Sequence, residues 1–243
     1  MRLESRSLAI LITFLAILLI PRVAGQLATL SGAWFGSIDP DGVYLWISLH
    51  HIWQLILTIA LMLIFNRHLG AWGFNIDNRE TSLRHLKLFV LYATGFFVIQ
   101  DLVLYFVASP VWIDFPLTLE NVLGYLGFQF LLSGTCEEPL FRGFVMAMLY
   151  PAFAGSLNIK SIEIPHSGLI AAIFFTLAHI GFSVWPLEIT RIHPPQLVLS
   201  FVMGIIYATM FHRTRSLLAP ILAHNYVNSL LVGLNMLWVV LAQ

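Results

Sequence analysis

Seven long apolar stretches dominate the 243-residue chain and leave few folds open to it. A helix crosses the ~30 Å hydrocarbon core of a bilayer with roughly 20 apolar residues, because each residue rises ~1.5 Å. Charged residues make up 10% of the chain and hydrophobic residues 59%, whereas soluble domains carry about 25% charged residues. The sequence therefore predicts an all-α, polytopic transmembrane helix bundle of about seven spans, between six and eight, in a single domain over residues 1–243.

The predicted spans have approximate bounds, and the fifth and sixth are short. They run from Leu8 to Ala24, Val43 to Phe65, Leu86 to Ala108, Val122 to Tyr150, Ser167 to Val184, Leu197 to Phe211 and Leu217 to Val240. The first span has a second interpretation, because Arg2 and Arg6 precede a short apolar core and a small-residue run, as in a cleaved signal peptide over residues 1–25. The fourth span is long enough to tilt, to bend near Pro139 or to project from the bilayer.

The basic residues predict the orientation of this bundle. With seven spans, nine Lys and Arg residues fall on one side and only Arg22 and Arg191 on the other. Because cytoplasmic loops are enriched in Lys and Arg, the N-terminus is expected in the cytoplasm. The compact chain with short loops favours a bacterial plasma membrane. Twelve basic residues balance twelve acidic ones, so no basic surface is expected to bind nucleic acid.

Six polar residues interrupt the apolar stretches, where a charge at the centre of a span costs roughly 2.5 to 3.5 kcal/mol. They are Glu137, Glu138, Arg142, His179, His224 and Asn228. One interpretation is a buried network that holds helices together. The other is a catalytic site, since Glu138 and Arg142, four residues apart, can neutralise each other and leave Glu137 to point elsewhere. A carboxylate without its own cation suits acid–base catalysis.

Two further pairs show the same four-residue spacing. Phe175 lies on one helical face with His179 and can pack against its imidazole. His224 and Asn228 form a face with two side chains able to donate hydrogen bonds to a developing oxyanion. From the predicted bounds, the two histidines differ in membrane depth by about 10 Å, a difference that tilt or a wrong boundary must absorb.

Three short motifs occur in order along these segments. Glu137 to Arg142 reads EExxxR, Phe175 to His179 reads FxxxH, and His224 to Asn228 reads HxxxN. Together they resemble the CAAX prenyl protease and bacteriocin-processing family (CPBP, Abi) of glutamic-type intramembrane proteases, over a core of about residues 122–231. The resemblance implies a multi-pass membrane peptidase.

The resemblance also implies roles for single residues. Glu137 acts with His179 to activate a water for attack on a peptide carbonyl, and His224 with Asn228 stabilises the oxyanion. Three residues support them: Glu138, Arg142 and Phe175. No cofactor and no metal are expected. The partners are a membrane-anchored or C-terminally processed protein or peptide substrate and the lipid bilayer.

Other functions stay open at this point. A non-catalytic immunity or scaffold protein of the same fold would bind a peptide in the same cavity. A zinc-dependent membrane protease would use Glu137, His179 and His224 as a His2Glu ligand set, although the chain has no HExxH helix. A proton-coupled transporter is disfavoured, since no inverted repeat is evident.

The remaining polar residues of the spans receive simpler interpretations. His50 and His51 begin the second span and are expected to anchor it at the membrane interface. Asp101, in the third span, is a candidate supporting residue. Cys136 has no cationic neighbour in sequence to activate a thiolate, so it is expected to be a small buried residue.

Overall fold

The computed structural model describes residues 3–107, 113–160 and 162–241. Its helices are α1 (Leu3–Gly32), α2 (Leu45–Phe65), α3 (Arg79–Val107), α4 (Leu119–Phe128), α5 (Gly134–Glu138), α6 (Met146–Leu149), α7 (His166–Leu177), α8 (Pro194–Thr214) and α9 (Leu218–Leu241). Short 3-10 turns lie at Gly36–Ile38 and Leu69–Trp72. Helices thus supply nearly all of the architecture, which agrees with the predicted fold class.

Local sequence signals account for several helix ends. The Thr118 side chain accepts a hydrogen bond from the Asn121 backbone N–H at 3.2 Å and caps the start of α4. Pro194 lies at the first position of α8, where its missing N–H costs no helical hydrogen bond. At its other end α8 stops at Arg215, which adopts a left-handed conformation with φ of 54°.

In the described part of the chain, four helices are long and apolar enough to cross a membrane. They cover Arg6–Gly32, Leu45–Phe65, Arg79–Val107 and Pro194–Thr214. Large apolar side chains on the outer faces of α1 and α3, such as Leu11 and Phe96, are exposed and have lipid as their natural surroundings. The chain is an integral membrane protein, and the count of seven spans stays a prediction.

The predicted span from Ser167 to Val184 is wrong at its C-terminal end. Helix α7 has 12 residues and covers about 18 Å, and the chain then forms the antiparallel strands β3 (Gly181–Val184) and β4 (Leu187–Arg191). Gly181 and Pro186 disfavour a continuing helix, and the returning strand carries polar residues. A second hairpin, β1 (Ser156–Ile159) with β2 (Ile162–Pro165), precedes α7.

The chain from α4 to α6 runs as one helix with two widened turns. The π-helical segments Gln129–Ser133 and Pro139–Val145 lie on either side of α5. Pro139 has no N–H to continue the ordinary ladder, and π-turns of this kind often occur at functional sites. They set the direction in which the short α5 presents its glutamates.

The core surrounds the second of these π segments. Every residue from Pro139 to Val145 is buried, and Phe144 packs against Trp72 and Phe65 from the neighbouring segments. Around this centre α1 packs on α2, α7 on α8, and α9 on both α3 and α5. The polar residues of α5 therefore face the helices that surround them.

Candidate active site

A cavity of about 460 Å³ opens beside α5 and collects the sequence-predicted residues. The cavity is lined by Glu137, His179, His224 and Asn228, although they come from three separate parts of the chain. The ring of Phe175 forms part of the same wall. The three motifs thus meet around one cavity.

Glu137 stands between two imidazoles. Its Oε1 lies 3.1 Å from Nε2 of His51, and its Oε2 lies 3.7 Å from Nε2 of His224. The side chain is 19% exposed, so one part of the carboxylate meets the cavity while the rest is enclosed. The expectation that Glu137 lacks an ionisable partner is therefore corrected, because both partners come from other helices.

Glu138 bridges a cation and a histidine inside the protein. Its Oε2 is 3.2 Å from Nε of Arg142, as the four-residue spacing predicts, and both side chains are fully buried. Its Oε1 accepts a hydrogen bond from Nδ1 of His224 at 2.8 Å. Arg142 also donates from Nη2 to the carbonyl of Gly204 at 3.2 Å. The carboxylate thus balances the guanidinium and orients the imidazole.

His179 is oriented by the helix that precedes it. Its Nδ1 donates to the carbonyl of Phe175 at 2.8 Å, so Nε2 is the nitrogen left for the cavity. The Phe175 ring meets both imidazoles edge to face, with centroids 4.8 Å from His179 and 5.7 Å from His224. The predicted boundary is wrong here, because α7 ends at Leu177 and His179 lies in the following turn, so the depth expected from that boundary no longer applies.

Two of the asparagines of α9 hold the start of α5. Asn228, from the HxxxN motif, donates from Nδ2 to the Ser133 hydroxyl at 3.1 Å. Asn225, which sequence reasoning missed, accepts the backbone N–H of Gly134 at 2.7 Å through Oδ1. That N–H lies where the π segment passes into α5, and a buried unpaired amide would be costly. Asn225 therefore fixes the helix that carries Glu137.

Gly134 permits the close approach of α5 and α9. A Cβ there would stand 2.6 Å from Cβ of His224 and 2.9 Å from the carbonyl oxygen of Ile221. We expect Gly134→Ala to destabilise the protein by about 1 to 3 kcal/mol through overpacking, measured as thermal unfolding in detergent. Gly127→Ala is the matched control, because its Cβ would meet nothing within 4 Å. Equal unfolding midpoints for the two variants would contradict the tight contact.

His51 lines the cavity, a position that the sequence interpretation did not give it. It is 7% exposed and contacts Glu137, so it does not anchor α2 at the membrane interface. The sequence contains a sign of this position in the spacing of the polar residues of α2. The buried residues of this helix are His51, Gln54, Thr58 and Met62. Their spacing of three and four residues marks one helical face, and three of the four are polar in an otherwise apolar span.

Asp101, which the sequence analysis named as a candidate supporting residue, lies away from the cavity. Its Oδ2 accepts a hydrogen bond from the Trp238 indole N–H and joins α3 to α9. Cys136 is fully buried, as expected of a small structural residue.

Within residues 3–107, 113–160 and 162–241, no group of three or more His, Cys, Asp or Glu side chains is arranged to hold a metal ion.

Comparison with known proteins adds one match. Residues 119–230 match the family model described as "Rce1-like: Type II CAAX prenyl endopeptidase Rce1-like". No curated protein and no solved structure gave a match. The matched segment contains the three motifs and confirms the resemblance predicted from them. It supports a membrane peptidase in general terms.

Proposed function

Since residues 119–230 match the Rce1-like model of type II CAAX prenyl endopeptidases, we propose that the protein is a glutamic-type intramembrane endopeptidase. The observation that carries the proposal is the position of Glu137: its carboxylate lines a cavity together with the imidazole of His179. A carboxylate and an imidazole around one space can activate a water without a covalent enzyme intermediate.

The reaction needs one water and one peptide bond. A water held between Glu137 and His179 transfers a proton to the Glu137 carboxylate while its oxygen attacks the peptide carbonyl carbon. The carbonyl oxygen becomes an oxyanion, which accepts hydrogen bonds from His224 and Asn228. The carbon–nitrogen bond then breaks as Glu137 returns the proton to the leaving amine nitrogen, and a new carboxyl terminus and a new amine are released.

The buried pair behind the cavity supports this chemistry. Because Nδ1 of His224 donates to Glu138 at 2.8 Å, its Nε2 can donate to an oxyanion only when the ring is protonated. Arg142 holds the Glu138 carboxylate in place through its own contact at 3.2 Å. The three side chains act as a support for the oxyanion-binding face.

The substrate we propose is a membrane-anchored or C-terminally processed protein or peptide, cut near the bilayer surface. The β3–β4 hairpin follows His179 directly and brings Arg191 to the edge of the cavity, where an extended peptide would enter. We further propose a bacterial plasma membrane location with the N-terminus in the cytoplasm, from the distribution of Lys and Arg between the loops.

Metal removal tests the proposed mechanism. We expect the purified protein, reconstituted with a membrane-anchored reporter peptide, to keep its cleavage rate after prolonged treatment with EDTA or phenanthroline, because a Glu–His site needs no Lewis acid. Zinc titration of the treated protein, with elemental analysis of each sample, is the measurement. Recovery in proportion to bound zinc, at about one ion per chain, would instead make Glu137, His179 and His224 metal ligands.

A further inference from the structure

The second helix contributes a residue to the site although it lies outside the matched segment. His51 is 86 positions from Glu137 in the chain, and its Nε2 is 3.1 Å from the Glu137 Oε1. We propose that His51 is the positioning residue of Glu137: it holds one carboxylate oxygen so that the other faces the cavity. This inference rests on the proposed peptidase function.

The His51 ring is fixed from the side opposite Glu137. Its Nδ1 lies 2.9 Å from the carbonyl of Ile47, which can only accept, so Nδ1 carries a hydrogen. The ring edge also packs on Phe128, with centroids 4.8 Å apart and planes at 76°. An imidazole held on its own helix and against an aromatic ring has one nitrogen left, and that nitrogen meets Glu137.

A second polar contact fixes the register between the two helices. Gln54, one helical turn after His51, donates from Nε2 to the carbonyl of Cys136 at 3.4 Å. Both Gln54 and His51 are buried. The polar face of α2 therefore contacts two consecutive residues of α5, and the Glu137 side chain is aligned by a pair of contacts and not by one flexible ion pair.

The distance between His51 and Glu137 also indicates how many protons these two side chains share. With a hydrogen on Nδ1, the neutral imidazole presents a lone pair at Nε2, and a carboxylate oxygen presents another. Two acceptors at 3.1 Å are held together only by a proton between them, and that proton must belong to Nε2 of His51 if the Glu137 carboxylate is to accept another one from water. That proton stays with His51 and Oε1 through the reaction, so Oε2 is the oxygen that takes the proton from water and returns it to the amine.

Replacement of His51 separates positioning from folding. We expect His51→Ala to lower kcat by roughly 10²-fold, the size of effect that a displacement of about 1 Å produces, with KM and the unfolding midpoint little changed. His51→Gln should recover about tenfold of that loss, because its amide can still donate to Glu137. His68→Ala, at an exposed loop histidine, is the matched control and should resemble the wild type.

Two further measurements decide the proposal. In a Glu137→Gln background, His51→Ala should lower the residual rate no further, because a positioning residue acts only through its partner. A further loss as large as in the wild type would contradict the proposal. If Glu137→Gln abolishes cleavage and His51→Ala does not change it, the positioning role fails while the peptidase function stands.

Chemical modification of Glu137 tests the positioning role of His51 even if the purified protein does not cleave the peptide. Dicyclohexylcarbodiimide modifies carboxyl groups inside membranes, and mass spectrometry locates the product. We expect faster modification of Glu137 in His51→Ala than in the wild type or His68→Ala, since Oε1 loses its hydrogen-bonded partner. Equal rates of modification in the three proteins would overturn the inference whatever their activity.

Discussion

Glu137→Gln is expected to lower the rate of peptide cleavage by about 10²- to 10⁴-fold, the usual contribution of a positioned general base. The amide keeps the shape of the side chain and can still form a hydrogen bond with His51, but it cannot take a proton from water. Expression, membrane insertion and the unfolding midpoint should stay close to those of the wild type. The measurement is the initial rate of cleavage of a reconstituted membrane-anchored peptide, followed by mass spectrometry.

The matched control for this variant is Glu163→Gln. Glu163 lies on β2, is about half exposed, and pairs with His212 at 3.4 Å, away from the cavity. The same chemical change at this surface carboxylate should leave the rate unchanged, because exposed pairs contribute little. Cleavage by Glu137→Gln at the wild-type rate would remove Glu137 from the mechanism. A wild-type protein that binds the peptide without cutting it would favour the immunity or scaffold function.

Short-range spacing predicted one part of the site well. Glu138 and Arg142 are four residues apart on one turn of helix, and their contact at 3.2 Å follows from helix geometry alone. The same holds for Phe175 and His179, whose rings meet at 4.8 Å. Periodicity reports which side chains share a face, so pairs four residues apart along the chain are accessible from sequence.

Contacts between distant elements were not accessible in this way. The contact of His51 with Glu137 joins two helices that are far apart in the chain, and periodicity does not say which helices are neighbours. The sequence did contain the polar face of α2, but a polar residue near a span end is also what interfacial anchoring produces. Only the packing of α2 on α5 distinguishes the two interpretations.

Local irregularities also escaped the sequence interpretation. The π segments around α5 are stabilised by partners elsewhere, such as Asn225 for the free N–H of Gly134. The end of α7 was misplaced because hydropathy continues past Leu177 into β3, and an apolar strand cannot be told from an apolar helix end by hydropathy alone. The π segments position Glu137, and the end of α7 positions His179, so both irregularities affect catalytic candidates.

Breaking the buried pair of Glu138 and Arg142 should have the largest effect on stability. Removing one partner leaves an uncompensated charge in a site with no exposed surface, at a cost of about 3 to 5 kcal/mol. We expect Glu138→Gln and Arg142→Met each to lower the yield of folded protein and the unfolding midpoint, measured by size-exclusion chromatography and thermal unfolding in detergent.

The double variant distinguishes a charge effect from a packing effect. If stranded charge is the cause, Glu138→Gln combined with Arg142→Met should be more stable than the sum of the single losses predicts, because neither charge is left alone. Strict additivity would contradict that cause. Glu138 also holds His224 at 2.8 Å, so activity is measured on the folded fraction of each variant. A Glu138→Gln protein that folds normally and does not cleave would place Glu138 in the catalytic step, through the orientation of His224, and would move the pair from structural support into the reaction.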